Sequence, residues 1–254
     1  MAQDMQIYIA APPGHAAAAA KTGYPVADMS YRVGSGFRLY RAHGSPRAVG
    51  GVMVVDTTRL SGGGPMRALT GAILSECEKH GHTGVALDTG GGATPYQLLL
   101  AHTLSSDAPK LALFVPESLA ACENASVLVQ TALSGGSLRR YLADAMEKYG
   151  ARRAALEVDR VRMDFTLPAP SGTGAELSER QLRELAEKYG AATHFSHTLY
   201  ANYFTYHDKS GTHFVLFDDA ESLRKKLTLG RELGIRHAFL YYPHAADLMG
   251  ELAF

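Results

Sequence analysis

Residues 52–89 read VMVVDTTRLSGGGPMRALTGAILSECEKHGHTGVALDT, and this stretch sets the class of the fold. It opens on a short apolar run, Val52-Met53-Val54-Val55, and closes on another, Val85-Ala86-Leu87, each followed by an aspartate. Between them Met66, Leu69, Ile73 and Cys77 recur at spacings of three and four, the stripe of a helix over 65–80. Strands buried on both faces read as continuous apolar runs rather than as alternation. Strand, helix and strand of this kind make a βαβ unit, which demands a parallel sheet.

The pattern repeats on both sides. Strand-like runs occupy 6–11, 27–33, 52–57, 83–89, 111–115, 127–133, 154–165 and 238–242. Helical periodicity covers 138–149 and 182–189, and a further helix runs to Leu233. Ser178–Gln181 makes a capping box ahead of the second of these, and Asp218–Glu221 makes a similar start for the third. Two links are weak: hardly any period follows the second strand, and only about eight residues of helix fit after the fifth. Eight repeats in 254 residues favour a closed (β/α)8 barrel over an open doubly wound sheet. No linker or composition shift interrupts 1–254, which therefore reads as one domain. Residues 202–207 and 212–217, joined by Asp208-Lys209-Ser210-Gly211, form a hairpin insertion over about 193–218, between strands seven and eight.

Composition narrows the function. Lys+Arg 25 balances Asp+Glu 25 with no basic block, which argues against nucleic acid or an anionic membrane as main partner. The N-terminal MAQDMQIYIAAPPG lacks a basic segment followed by an apolar core, so it does not read as a signal peptide. The alanine run over 16–20 is far too short to span a bilayer. Cys77 and Cys122 are expected as buried free thiols. Gly90-Gly91-Gly92 leads into a helix but has neither phosphate-loop pattern, so no cofactor is expected. His194 and His197 lack zinc-site spacing, and no metal is expected either.

Residues 177–243, LSERQLRELAEKYGAATHFSHTLYANYFTYHDKSGTHFVLFDDAESLRKKLTLGRELGIRHAFLYYP, resemble the C-terminal part of family 18 glycoside hydrolases of the spore cortex-lytic kind. The hairpin followed by Phe217-Asp218-Asp219-Ala220-Glu221-Ser222 is the most specific match. Upstream, Gly84-Val85-Ala86-Leu87-Asp88 resembles the family's fourth strand, G-V-D-L-D-x-E. The resemblance implies a (β/α)8 barrel and a substrate-assisted mechanism: a strand-four glutamate protonates the glycosidic oxygen while the substrate's own N-acetyl oxygen attacks.

Carried over residue by residue, the motif keeps its middle aspartate as Asp88 but has Ala86 for the earlier one and Gly90 for the catalytic glutamate. The sixth-strand Tyr and Asp that contact the acetamido group fall in Gln130-Thr131-Ala132-Leu133, and Tyr241 stands for the strand-eight tryptophan in a chain with no Trp. A general acid alone is worth about 10²–10⁴-fold in rate, so the family mechanism is expected to be lost.

Asp88 is then either a surviving ligand contact or a structural acid, and the loss of its neighbours favours the second. Asp56, Glu117 and Asp164 fall near the ends of strands three, five and seven, where they could bind sugar hydroxyls, hold a cation or supply a relocated acid. Glu117 is the best placed of them as a substitute acid. Gln130 and Tyr241 complete the expected ligand contacts; among Tyr200, Tyr203, Phe204, Tyr206 and Tyr242, about half are expected to be packing. Three functions follow: a non-hydrolytic barrel that binds an N-acetylhexosamine polymer such as peptidoglycan or chitin; a spore or cell-envelope scaffold with a plugged pocket; or a glycosidase using Glu117 or Asp88. The expected location is the cytoplasm or the spore or cell envelope, and the expected partner a glycan.

Overall fold

The computed structural model describes residues 5–43, 50–169 and 173–252. Its strands, in chain order, are β1 (Gln6–Ala11), β2 (Val26–Gly34), β3 (Arg38–Arg41), β4 (Val52–Asp56), β5 (Gly84–Asp88), β6 (Ala112–Pro116), β7 (Ser126–Gln130), β8 (Ala154–Val158), β9 (Arg162–Leu167), β10 (Ala175–Glu176), β11 (His194–Ser196), β12 (Ala201–Asp208), β13 (Gly211–Phe217) and β14 (His237–Tyr241). The helices are α1 (Ala16–Ala19), α2 (Met66–His80), α3 (Pro95–Asp107), α4 (Leu138–Tyr149), α5 (Glu179–Tyr189), α6 (Ala220–Glu232) and α7 (Tyr242–Ala245).

Eight strands run parallel in the order β1-β14-β8-β7-β6-β5-β4-β2, and β1 pairs with β2 through Ile9↔Val26 to close the ring. Every strand run expected from the sequence contributes one barrel strand. The two weak links have a physical account. After β2 the chain makes a 3-10 turn and then β3, which pairs antiparallel with the last residues of β2, Tyr31–Gly34. After β6 there is only the 3-10 turn Glu117–Leu119, because the chain must start β7 at Ser126.

Side chains alternate between two cores. Tyr8, Ala27, Val52, Val54, Ala86, Phe114, Ala155 and Phe239 point into the barrel. Their alternate neighbours, such as Ile9, Met53, Val55, Val85 and Leu156, pack outward against α2, α3, α4 and α6. Three aromatic rings fill the interior: Phe114 meets Phe239 at 4.8 Å between ring centres and Tyr8 at 6.0 Å, and Tyr8 stacks on Phe239 at 5.0 Å. Small residues opposite them leave the room that rings of this size need.

The run read as a single strand over 154–165 is two strands. Barrel strand β8 ends at Val158, and β9 restarts at Arg162 in a second, antiparallel sheet of order β10-β9-β13-β12-β11. The expected hairpin is present as β12 and β13, closed by Asp208↔Gly211 with Gly211 at φ +129, but it is two strands of five. The insertion therefore begins at Arg162, well before residue 193, and α5 packs on it through Leu182, Phe204, Tyr206 and Val215.

The segment Phe217–Ser222 joins insertion to barrel. The cap of α6 is Asp219, one residue later than the sequence pattern placed it: its side chain accepts from the Ser222 amide, and the Ser222 hydroxyl accepts from the Asp219 amide. That frees Asp218 to turn inward. Its carboxylate accepts from the Val161 amide at 2.9 Å, the Ser222 hydroxyl at 2.7 Å and the Lys226 ammonium at 2.6 Å. Beside it Arg160 bonds Asp247 and Glu179 and the carbonyls of Asp218 and His244, tying β8, α5 and the C-terminal segment together.

Candidate functional site at the barrel mouth

At the C-terminal ends of the barrel strands lies a cavity of about 370 Å³. Phe239, Leu128, Val54, Ala86, Ala10 and Met29 make its apolar lower wall, and Asp88, Thr89, Gln130, Glu157, Asp159 and Tyr241 supply its polar groups. Interior-facing positions recur every second residue along a strand. Asp88 thus follows Ala86 on β5, Gln130 follows Leu128 on β7, Glu157 follows Ala155 on β8, and Tyr241 follows Phe239 on β14. The parallel register sets Gln130 beside Glu157, and Glu157 beside Phe239.

Asp88, Gln130 and Tyr241 are therefore brought together at this cavity, as the sequence predicts. Asp56, Glu117 and Asp164 are not among its lining residues. The Asp56 carboxylate is folded onto its own turn, accepting from the Thr58 amide at 2.9 Å and hydroxyl at 2.6 Å. Glu117 is held on both oxygens, by the Tyr141 and Tyr149 hydroxyls of α4, each at 2.9 Å. Asp164 belongs to the insertion, because β8 stops six residues before it; it accepts from the Tyr206 hydroxyl at 2.7 Å and faces His213 Nδ1 at 3.0 Å.

Most of the C-terminal aromatics are packing. Phe204 and Tyr206 are buried under α5, Tyr203 stacks on Phe214 at 5.2 Å, and Tyr242 meets His15 at 5.7 Å. Cys77 and Cys122 are free and buried, and burial pushes the Cys77 thiol up to about 11.

Glu157 is a lining residue that the sequence does not single out. Burial at the mouth is the largest influence on its carboxyl, and the nearby Asp159 and Asp88 charges act in the same direction, raising it to about 7. Its sequence signal is the alternation Ala155-Leu156-Glu157-Val158-Asp159, which a strand running through to residue 165 obscures. Ending the strand at Val158 puts Glu157 level with Gln130 at the rim.

The loop after β5 carries a local constraint. Asp88 Oδ1 accepts from the Gly90 amide at 2.9 Å, and Gly90 sits at φ +67 in the left-handed region. A Cβ built on Gly90 would stand 2.8 Å from Thr58 Cγ2. Glycine relieves both the torsional and the steric problem.

No family model matches the chain, and no curated protein matches it in sequence. Solved structures do match in shape. The spore cortex-lytic enzyme SleL of Bacillus cereus is similar at TM-score 0.69 and 16% identity, over 99% of this chain and 75% of that one. A chitinase from Chromobacterium violaceum gives TM-score 0.65 and 14% identity, over 96% of this chain and 97% of its own. A family 18 chitinase from Cycas revoluta, solved in complex with (GlcNAc)3, gives 0.65 and 13%, over 98% of each chain. The likeness is one of fold. It extends along nearly the whole chain, further than the C-terminal third in which the sequence resemblance is detailed.

Proposed function

We propose that the barrel mouth binds a glycan of the N-acetylhexosamine type, as in chitin or peptidoglycan, and does not hydrolyse it by the strand-four acid mechanism. The observation that carries this reading is the cavity itself, with Asp88, Gln130, Glu157 and Tyr241 around an apolar wall and no carboxyl at position 90. Apolar surface with a few convergent polar groups suits a sugar ring, whose faces are apolar and whose edge is hydroxylated. The fold likeness to chitinases and to a cortex-lytic enzyme supports the ligand class. The open cavity favours this reading over a scaffold with a plugged pocket, and the two tyrosines on Glu117 leave that residue in a structural role.

Calorimetric titration with chito-oligosaccharides and muropeptides tests it, and silence across both panels at millimolar concentration sinks it. Asp88→Ala and Tyr241→Ala should each weaken binding by about tenfold, the loss of one hydrogen-bonded or stacking contact. Glu117→Gln should leave affinity unchanged.

Restoring the family's acid by a single substitution should fail. Gly90→Glu places a Cβ in the left-handed region and against Thr58, at a cost of about 1–3 kcal/mol. The expected result is a lowered Tm and no release of aryl aglycone from aryl chito-oligosaccharides; turnover in that variant would show that the loop accommodates the acid.

A further inference from the structure

The mouth lacks the strand-four acid yet contains a carboxyl set differently from its neighbours. Asp88 already accepts from the Gly90 amide, and Asp159 lies 3.6 Å from His244 Nδ1. Among the described residues no hydrogen bond reaches the Glu157 carboxyl, which lines the cavity from the end of β8. The groups around it are Asp159 from its own chain segment, Asp88 from β5, Tyr241 from β14 and, within electrostatic reach, Tyr141 of α4, whose hydroxyl donates to Glu117; uncharged Gln130 lies beside it on β7. His244, from α7, is one step further off behind Asp159. Among the described residues no Lys, Arg or His lines the cavity to compensate a third negative charge.

We propose that Glu157 is the proton-bearing group of this mouth and holds the glycan by donating a hydrogen bond from its neutral carboxyl to a sugar oxygen. This deepens the glycan-binding reading and rests on it. An ionised carboxylate only accepts, whereas a protonated one also donates. Sugars carry ring, glycosidic and acetamido oxygens that only accept. With Asp88 and Asp159 as acceptors for sugar hydroxyls, a neutral Glu157 supplies the donor that three carboxylates could not. The burial and the two flanking charges that raise its carboxyl to about 7 keep most of it protonated below pH 7 and leave it half ionised at neutrality.

The test is titration of the whole chain with chitotetraose between pH 5.5 and 8.5. If only the protonated form binds, Kd should be flat at low pH and rise about tenfold per pH unit once Glu157 ionises. Glu157→Gln, which keeps a donor in the same place, should bind at pH 8 as the wild type does at pH 5.5, with no pH dependence. Glu157→Ala should bind at least tenfold more weakly than the wild type does at pH 5.5, with no pH dependence, and His244→Asn should leave the wild-type profile in place. A flat wild-type profile, full affinity in the alanine variant, or a profile that disappears with His244 overturns the role of Glu157 while leaving glycan binding standing. Silence at every pH, with muropeptide as well, overturns the binding reading and the role together.

A readout without ligand checks the proton alone. The folded state keeps this proton to higher pH than the unfolded chain, so its stabilising contribution is full at low pH and is lost as pH rises through about 7. Glu157→Gln should therefore raise Tm relative to wild type at pH 8 and not at pH 4. Equal Tm values at pH 8 would overturn the neutral carboxyl.

Discussion

Replacing Lys226 by Met should lower the unfolding free energy by about 3–5 kcal/mol, measured by denaturant titration. Lys226 and Asp218 are both buried, with side chains 1% and 0% exposed, and their N–O separation is 2.6 Å. Methionine fills the space of the lysine stem but leaves Asp218 as a buried charge with, among the described residues, two neutral donors, the Val161 amide and the Ser222 hydroxyl. Asp218→Ala should cost a similar amount, because it strands the ammonium instead. The two losses should not add. In a double-mutant cycle the combined variant should recover much of one single loss, since no uncompensated charge is left inside. A strictly additive cycle would mean that the pair acts as two independent residues.

Phe114→Ala should cost a similar amount, about 3–5 kcal/mol, through an emptied space in the barrel interior. Phe114 is fully buried and makes edge contacts with Phe239, Tyr8 and His237. Its ring stands behind Phe239, which lines the cavity. The variant should thus also loosen the mouth, giving weaker chitotetraose binding than the wild type at 25 °C while still folded. Phe114→Leu, which keeps most of the volume, should cost less than half as much. A small effect of the alanine change would mean that the neighbouring rings close over the gap.

These two sites differ in how legible they were. The barrel was written in the local sequence, because parallel strands buried on both faces must be apolar runs and helices between them must carry a stripe. Phe114 could be assigned to the core from the run Leu111–Val115 alone. Asp218 could not, since the capping motif looked satisfied with Asp218 itself at the cap; only the fold shows that Asp219 caps and Asp218 turns toward Lys226, eight residues on. The site was half legible. Asp88, Gln130 and Tyr241 are where strand ends place them, because strand periodicity alone determines which residues point inward at a rim. Asp164 went astray because β8 and β9 are separated by only three residues and both are β-rich, so nothing local marks the break between barrel and insertion. The same break concealed Glu157. Glu117 was misleading for another reason: its two tyrosine partners lie on α4, and a partner more than twenty residues away leaves no mark on the sequence around it.

The aromatic filling of the barrel has one more consequence. Tyr8, Phe114 and Phe239 make the interior a cup with one opening rather than a tunnel. A polysaccharide could not thread through it. On the proposed glycan-binding reading a chain would lie across the rim with one unit lowered toward Phe239, and length beyond that stretch should add little to affinity.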